Sequence, residues 1–444
     1  MRITPIHMAV VLSLGMVFGC GGGGSGGGGE EPPVLIRGGV VDLADGSPVA
    51  GALIEAVDVN GASVGTSVTS GDDGSFTMTV PATRNADGVP VDTAYSLRVQ
   101  AAGFLEFPTA IRPALPLDVS SAALGDDGWL IESSLTTVGL VALPGDTAAL
   151  ASISGTVDAD VSAGVLVVAE GAGEAHVGFS DSEGRFTIFN LPAGDYTVSA
   201  YAAGLQVDPI AATVAAAEAV TGVDLMGAAR PLSTVSGKVQ IVNAPGGAQT
   251  SVVLAVESTF AEAAGRGTVP PGLRIDGVTD TFTIDDVPDG RYVVLAAFEN
   301  DGLVRDPDQT IGGTEVVIID VPDADTGNTV DIAEGFKVTG ALAVDEPGAD
   351  GPEEVSPDTL TFKWADDSSE DGYEIRVFDS LGNEVWSDEI PSVSGAETVT
   401  YTYAGPALEA GIFYQFRATS FREDQAGRTA ISATEDLKGV FYLP

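Results

Sequence analysis

The chain is poor in the residues that carry most catalytic and metal chemistry. It has one cysteine in 444 residues, Cys20, so no intramolecular disulfide can form. Its two histidines, with that single cysteine, exclude zinc clusters of the histidine–cysteine kind. A Ser-His-Asp triad or a Cys-His pair would have to use His176. That residue stands in Gly173-Glu174-Ala175-His176-Val177 and reads as an exposed edge or turn residue. Bases are scarce too: 19 Lys and Arg against 64 Asp and Glu give a net charge of −45. Binding to nucleic acid is excluded on that ground, because phosphate contacts need Lys and Arg to displace counterions. Long apolar runs are also missing, and none reaches the roughly 20 residues that span a bilayer. No catalytic, cofactor-binding or metal-binding residue is assigned from the sequence.

What is present begins with an address. Arg2 is followed by an uncharged stretch from Met8 to Phe18. It is too short to span a bilayer and has the length of a signal-peptide core. It ends in Val17-Phe18-Gly19-Cys20, which resembles a bacterial lipobox, although a small residue is usual where Phe18 stands. The resemblance implies a leader over 1–19 and lipidation at Cys20. A Gly/Ser tract follows from Gly21 to Gly29 and reads as a flexible tether with a reach of about 15–18 Å. A diacylglycerol plus a third acyl chain would anchor the protein firmly, since one chain alone is marginal. Gly21 is not the Asp associated with inner-membrane retention, so the resemblance implies the outer membrane or cell surface of a Gram-negative bacterium.

The body is repetitive. Phe186, Pro192, Gly194 and Tyr196 recur 96 residues later as Phe282, Pro288, Gly290 and Tyr292, a fixed offset that marks an internal repeat. Gly74-Ser75-Phe76 and Tyr95 to Phe104 carry a related pattern further upstream. Phe76, Met78 and Val80 alternate with Thr77 and Thr79, and Tyr95, Leu97 and Val99 with Ser96, Arg98 and Gln100. Period two predicts strands with one buried face, and the intervening Gly and Pro punctuate turns. Tyr292 to Phe298 is apolar on both faces, so that strand is expected to be covered twice or to meet another domain. These segments resemble carboxypeptidase regulatory-like domains, transthyretin- or prealbumin-like β-sandwiches classed with carbohydrate-binding-like folds. The third departs in lacking a Gly two residues before Phe282. The peptidase domain that gives the family its name, with its zinc ligands, has no counterpart here.

Asp345 to Asp358 holds six acids and three Pro and reads as an exposed connector. Beyond it, Trp364, Tyr373 and a Leu408…Gly411…Tyr414 corner resemble a fibronectin type III domain. In such a domain a corner tyrosine ties a loop to a strand through its hydroxyl. The expected organisation is a signal peptide at 1–19 and a lipidated tether at 20–33. Regulatory-like sandwiches follow at 34–147, 148–231 and 232–338, then a fibronectin type III-like domain at 339–444. The fold class is all-β, in tandem β-sandwiches.

Few chemical sites compete for attention. Asp323 to Glu334 approaches the twelve-residue calcium loop, but Gly327-Asn328 exchanges the turn glycine with a ligand position. Thr329 to Ile332 also reads as the last strand of the third domain. The acidic pairs Asp72-Asp73 and Asp285-Asp286 read as solvated turns. A Lys238–Asn328 crosslink is conceivable from the strand order. Tyr201, Trp129 and Trp386 are the candidate exposed aromatics for stacking on sugars, although Trp386 reads first as sandwich packing. The expectation is a non-catalytic, lipid-anchored envelope lipoprotein, without cofactor apart from possible calcium. It would act in adhesion, scaffolding or presentation, with the membrane and an unidentified protein or carbohydrate as partners. The alternative is carbohydrate capture for an uptake or degradation system.

Overall fold

Alternating side chains bury one face of each strand, and frequent turn residues keep the strands short. The computed structural model describes residues 32–58, 63–108, 114–143, 145, 147–171, 173–242, 249–260, 267–297, 316–322, 327–332, 335–356, 360–379, 384–393, 395, 397–410, 413–425, 427–434 and 438–444. The leader, Cys20 and the glycine tract lie outside the described residues. From Pro33 onward the described chain is all-β, a tandem series of β-sandwiches.

The first sandwich contains β1 (Val34–Asp42), β2 (Leu53–Val57), β3 (Ser63–Thr69), β4 (Ser75–Val80), β5 (Ala94–Gln100), β6 (Leu117–Asp118), β7 (Ala123–Leu124), β8 (Trp129–Ile131) and β9 (Thr137–Leu140). One sheet runs β4-β1-β8-β7, with β9 also on β1, and the other β3-β2-β5-β6. The second sandwich contains β10 (Ala151–Asp158), β11 (Leu166–Gly171), β12 (Glu174–Phe179), β13 (Arg185–Leu191), β14 (Gly194–Tyr201), β15 (Ile210–Val214), β16 (Ala219–Val220) and β17 (Leu225–Met226). Its sheets run β13-β10-β16, with β17 also on β10, and β12-β11-β14-β15. The third repeats this plan with β18 (Ser233–Val242), β19 (Thr250–Val256), β20 (Arg274–Val278), β21 (Thr281–Val287), β22 (Gly290–Ala297), β23 (Val317–Val321), β24 (Thr329–Asp331) and β25 (Phe336–Thr339). Its sheets run β21-β18-β24, with β25 also on β18, and β20-β19-β22-β23.

Three devices explain the repeated residues. The first strand of each sandwich pairs in parallel with two short late segments of its own domain. Between those segments the chain crosses a glycine very closely. A Cβ on Gly38 or Gly155 would lie 1.9 Å from the carbonyl oxygen of Thr136 or Val223, and one on Gly237 would lie 2.9 Å from the Phe282 ring. The second device is a tyrosine tie. The hydroxyls of Tyr95, Tyr196 and Tyr292 donate to the carbonyls of Pro81, Pro192 and Pro288 at 2.7, 2.7 and 3.0 Å. Pro and Tyr are thus repeated together because one accepts from the other. The third device, a buried serine, is not evident from the spacing. Ser70 donates to Val49 and accepts from Ala52 N–H, and Ser180 does the same with Ser162 and Val165.

The third sandwich departs from the other two for a visible reason. Two residues, Thr279 and Asp280, join β20 to β21, where five join β3 to β4 and β12 to β13. Asp280 offers its carbonyl to Val239 N–H just as Gly74 and Gly184 do to Val40 and Val157. Gly74 and Gly184 have φ of +75° and +78°, and Asp280 is not among the positive-φ residues, so no glycine is required there. The doubly apolar β22 is covered on both sides. Tyr292, Val294 and Ala296 face the core, and Val293 and Leu295 pack with Val253 and Ala255 under Phe260 and Val269 from the β19–β20 connection.

The fourth sandwich contains β26 (Val344–Glu346), β27 (Glu353–Glu354), β28 (Thr361–Ala365), β29 (Gly372–Asp379), β30 (Glu384–Pro391), β31 (Thr398–Thr402), β32 (Phe413–Asp424), β33 (Gly427–Ala433) and β34 (Val440–Tyr442). A β26-β28-β31 sheet faces a β27-β34-β32-β29-β30 sheet that also carries β33 on β32. Trp364 is fully buried edge-on to Tyr373 at 5.5 Å, and Tyr414 accepts from Glu409 N–H at 2.9 Å. The acidic stretch from Asp345 is not a free connector. It supplies β26 and β27 and buries Pro347 and Gly348, because backbone pairing outweighs its polarity. Likewise β24 is not the last strand of its domain, since β25 follows and pairs with β18.

Candidate functional site

The most structured place outside the cores is the joint between the first two sandwiches. The outer face of the β3-β2-β5-β6 sheet brings Glu55, Arg98 and Gln100 against the second sandwich, each of them buried. Arg98 lies 3.5 Å from Glu55, and its guanidinium sits 3.2 Å from the centroid of the Phe179 ring. Gln100 donates to the Val177 carbonyl at 2.9 Å and to Glu106 at 3.1 Å. Burial pushes the Glu55 carboxyl up and the Arg98 guanidinium down, so desolvation outweighs their mutual attraction. Burial also pushes Glu106 up to about 7, although the residue as a whole is only half-buried.

A cleft of 470 Å³ opens at this joint, lined among others by Glu55, Ser67, Thr156, Asp181, Arg185 and Asp224. Its charged groups are already engaged. Arg185 is gripped by Asp181 at 3.0 Å and Glu183 at 2.6 Å, which holds its pKa above the ordinary value. Asp224 accepts from the Thr156 hydroxyl at 2.9 Å. Its lining residues include no His, Cys or Lys. His176 lies on the edge strand β12 as expected but is half-buried rather than exposed, edge-on to Tyr196 at 6.0 Å, with its pKa lowered mainly by burial. The cleft can hold a polar molecule by hydrogen bonds.

The same joint carries a bulge that the sequence analysis missed. β10 and β13 slip register between Ala151 and Ile153, which leaves Phe189 and Asn190 opposite Ser152. Asn190, at φ +64°, accepts from Gly103 N–H at 2.7 Å and donates to the carbonyls of Ala101 and Phe104 at 3.0 and 2.8 Å. The next joint repeats the device with a difference. β18 and β21 slip at the matching place, and Asp286, at φ +58°, accepts from Gly204 N–H through its main-chain carbonyl at 2.8 Å. Asp285-Asp286 is therefore a bulge inside β21 and not a solvated turn, and Asp285 accepts from Thr234. The first sandwich pairs β1 with β4 without any slip. The clue in the sequence was one extra residue between Phe and Pro in the second and third repeats.

The aromatics named as sugar platforms are packed. Tyr201 is buried edge-on to Tyr292 at 6.2 Å, which corrects its reading as exposed. It is covered because the outer face of its sheet docks on the third sandwich. Trp386 is half-buried, stacked on Tyr401 at 5.9 Å, and Trp129 is half-buried against the first core. Residues 323–326 and 333–334 of the candidate calcium loop lie outside the described residues; Asp331 accepts from Ser236. No group of three or more metal-ligating side chains occurs among the described residues. Asn328 donates to Ser233 at 3.1 Å, and Lys238 is five residues further along β18, about 16 Å away, which rules out the crosslink.

The sequence matches no family model and no curated protein. Among solved structures, the chain aligns with the Bacillus anthracis TIE protein at 12% identity and a TM-score of 0.16, covering 89% of this chain and 68% of that one. Two B repeat units of the collagen-binding protein of Staphylococcus aureus align at 11% identity and a TM-score of 0.18, covering 92% and 98%. A shaft pilin of Lactobacillus rhamnosus GG aligns at 11% identity and a TM-score of 0.17, covering 45% and 98%. These likenesses are too weak to bear on family or activity.

Proposed function

We propose that this is a non-catalytic envelope lipoprotein, lipidated at Cys20 and holding its sandwiches outside the membrane as a scaffold or presenting body. The observation that carries the reading is the order of its parts. A short apolar leader ends at the chain's only cysteine, and a Gly/Ser tether runs from it into a body of sandwiches docked on one another. The units at 34–147, 148–231 and 232–338 are proposed as regulatory-like sandwiches on the strength of their shared tyrosine–proline tie. The unit at 339–444 is proposed as fibronectin type III-like on the Trp364–Tyr373 pair and the Tyr414 tie. Carbohydrate capture draws no support from Tyr201, Trp129 or Trp386, all of which pack against protein.

The test compares intact mass and detergent partitioning of the protein from its native host with those of Cys20→Ala. About three acyl chains on the wild type and a soluble variant are expected. Unmodified, soluble wild type would overturn the anchor and make this a freely diffusing protein.

A further inference from the structure

The two joints are topologically equivalent but built from opposite chemistry. At the second, Leu166, Val168, Phe179 and Tyr201 of the second sandwich belong to one continuous apolar cluster with the core of the third. Gln206 and Arg230 pair with Asp289 at its rim. At the first joint, the matching face carries Glu55 where the second has Val168, Arg98 for Ser199 and Gln100 for Tyr201, so charged and polar groups stand where the second joint has an apolar cluster. Large apolar contacts fix domains relative to one another, while polar ones permit motion. The first joint also contains the cleft, so its packing is incomplete. Asn190 makes three hydrogen bonds across the joint from one side chain, and Gln100 adds one to the Val177 carbonyl beside the Arg98–Phe179 stack. Outside the joint, Phe413 N–H of the fourth sandwich donates to Ser134 at 2.9 Å and also restrains the first sandwich.

We propose that the first sandwich turns on the second as a hinge latched by Asn190, while the second and third sandwiches move as one body. Opening widens the cleft and frees the Ala101–Phe104 loop; closing restores both. The third sandwich cannot pass the series on by its outer face, because its own β19–β20 connection covers that face with Phe260 and Val269.

Spin-label pairs test this in the full chain carrying Cys20→Ser. One pair, Thr77→Cys with Ala211→Cys, spans the first joint; the other, Ala211→Cys with Thr283→Cys, spans the second. All three positions are exposed. Asn190→Gly keeps the left-handed backbone and removes the latch, and Ser134→Ala removes the bond to Phe413. The double variant should broaden the first distance distribution at least about twofold and leave the second unchanged, which also shows that the variant is folded. Asp286→Gly should leave both unchanged, because that latch uses the main chain. A first distribution as narrow in the double variant as in the wild type would overturn the hinge. Equal broadening of both pairs, or broadening of the second by Asp286→Gly, would overturn the single-body claim.

Discussion

Glu106 has its carboxyl buried beside Gln100, with Arg98 as the nearest cation, and its pKa rises from the ordinary 4.5 to about 7. The sign of the consequence follows from proton binding. Below about pH 4.5 the group is protonated both folded and unfolded, and it costs nothing. As pH rises from there to about 7 the unfolded chain releases the proton and the folded one retains it, so stability falls; above about 7 the full cost remains. Allowing for the half-exposure of the residue, that cost is about 2 kcal/mol. Glu106→Gln supplies a neutral isostere, so its denaturant midpoint should exceed that of the wild type at pH 8, and the two should converge by about pH 4. An equal gain at both pH values would show that the carboxyl is not titrating in this range. Glu55 is shifted the same way by burial, with Arg98 opposing it, so it adds to the same trend.

At the scale of the strand, the glycine in each opening strand is a crossing point. In Gly155→Ala the added carbon would meet the main-chain oxygen of Val223 at 1.9 Å, so the backbone linking β16 to β17 must move. In Gly237→Ala it would meet side chains, Phe282 at 2.9 Å and Ile332 at 3.0 Å, which can shift. The first should destabilise by about 3 kcal/mol or more and the second by about 1 kcal/mol, read from chemical denaturation. Equal effects would mean that the backbone at 223 yields as easily as a side chain. Period two made such strands legible, and the 96-residue offset made two of the sandwiches equivalent, because both are local properties of sequence. The tyrosine–proline ties were half-legible: Pro192 and Tyr196 recur together, but their hydrogen bond is a fact of the fold. The Asn190 latch was not legible, because its partners lie 86 to 89 residues away. Nor was the burial of Tyr201, which alternation alone assigns to the outer face of its own sheet, where only the neighbouring sandwich covers it.

At the scale of the molecule, charge sets the balance. With 64 acids and 19 bases, most carboxylates have no cation to pair with, and the net charge is −45. Folding gathers those charges into a smaller volume than the unfolded chain occupies, so their repulsion opposes the folded state. Salt shortens the range of that repulsion from about 30 Å at 0.01 M to about 3 Å at 1 M. It also weakens attractive pairs such as Arg428 with Glu389 and Glu423, but these are exposed and already screened by water. The repulsive term is the larger because acids outnumber bases more than threefold. The melting temperature should therefore climb by about 5 °C or more between 0.01 and 1 M NaCl. A fall over that range would mean that local ion pairs, rather than net charge, dominate. The same repulsion acts toward an anionic membrane surface. The proposed tether, with a reach of about 15–18 Å, would exceed the screening length of about 8 Å at physiological salt and would let a lipid-anchored body stand clear of the charged surface.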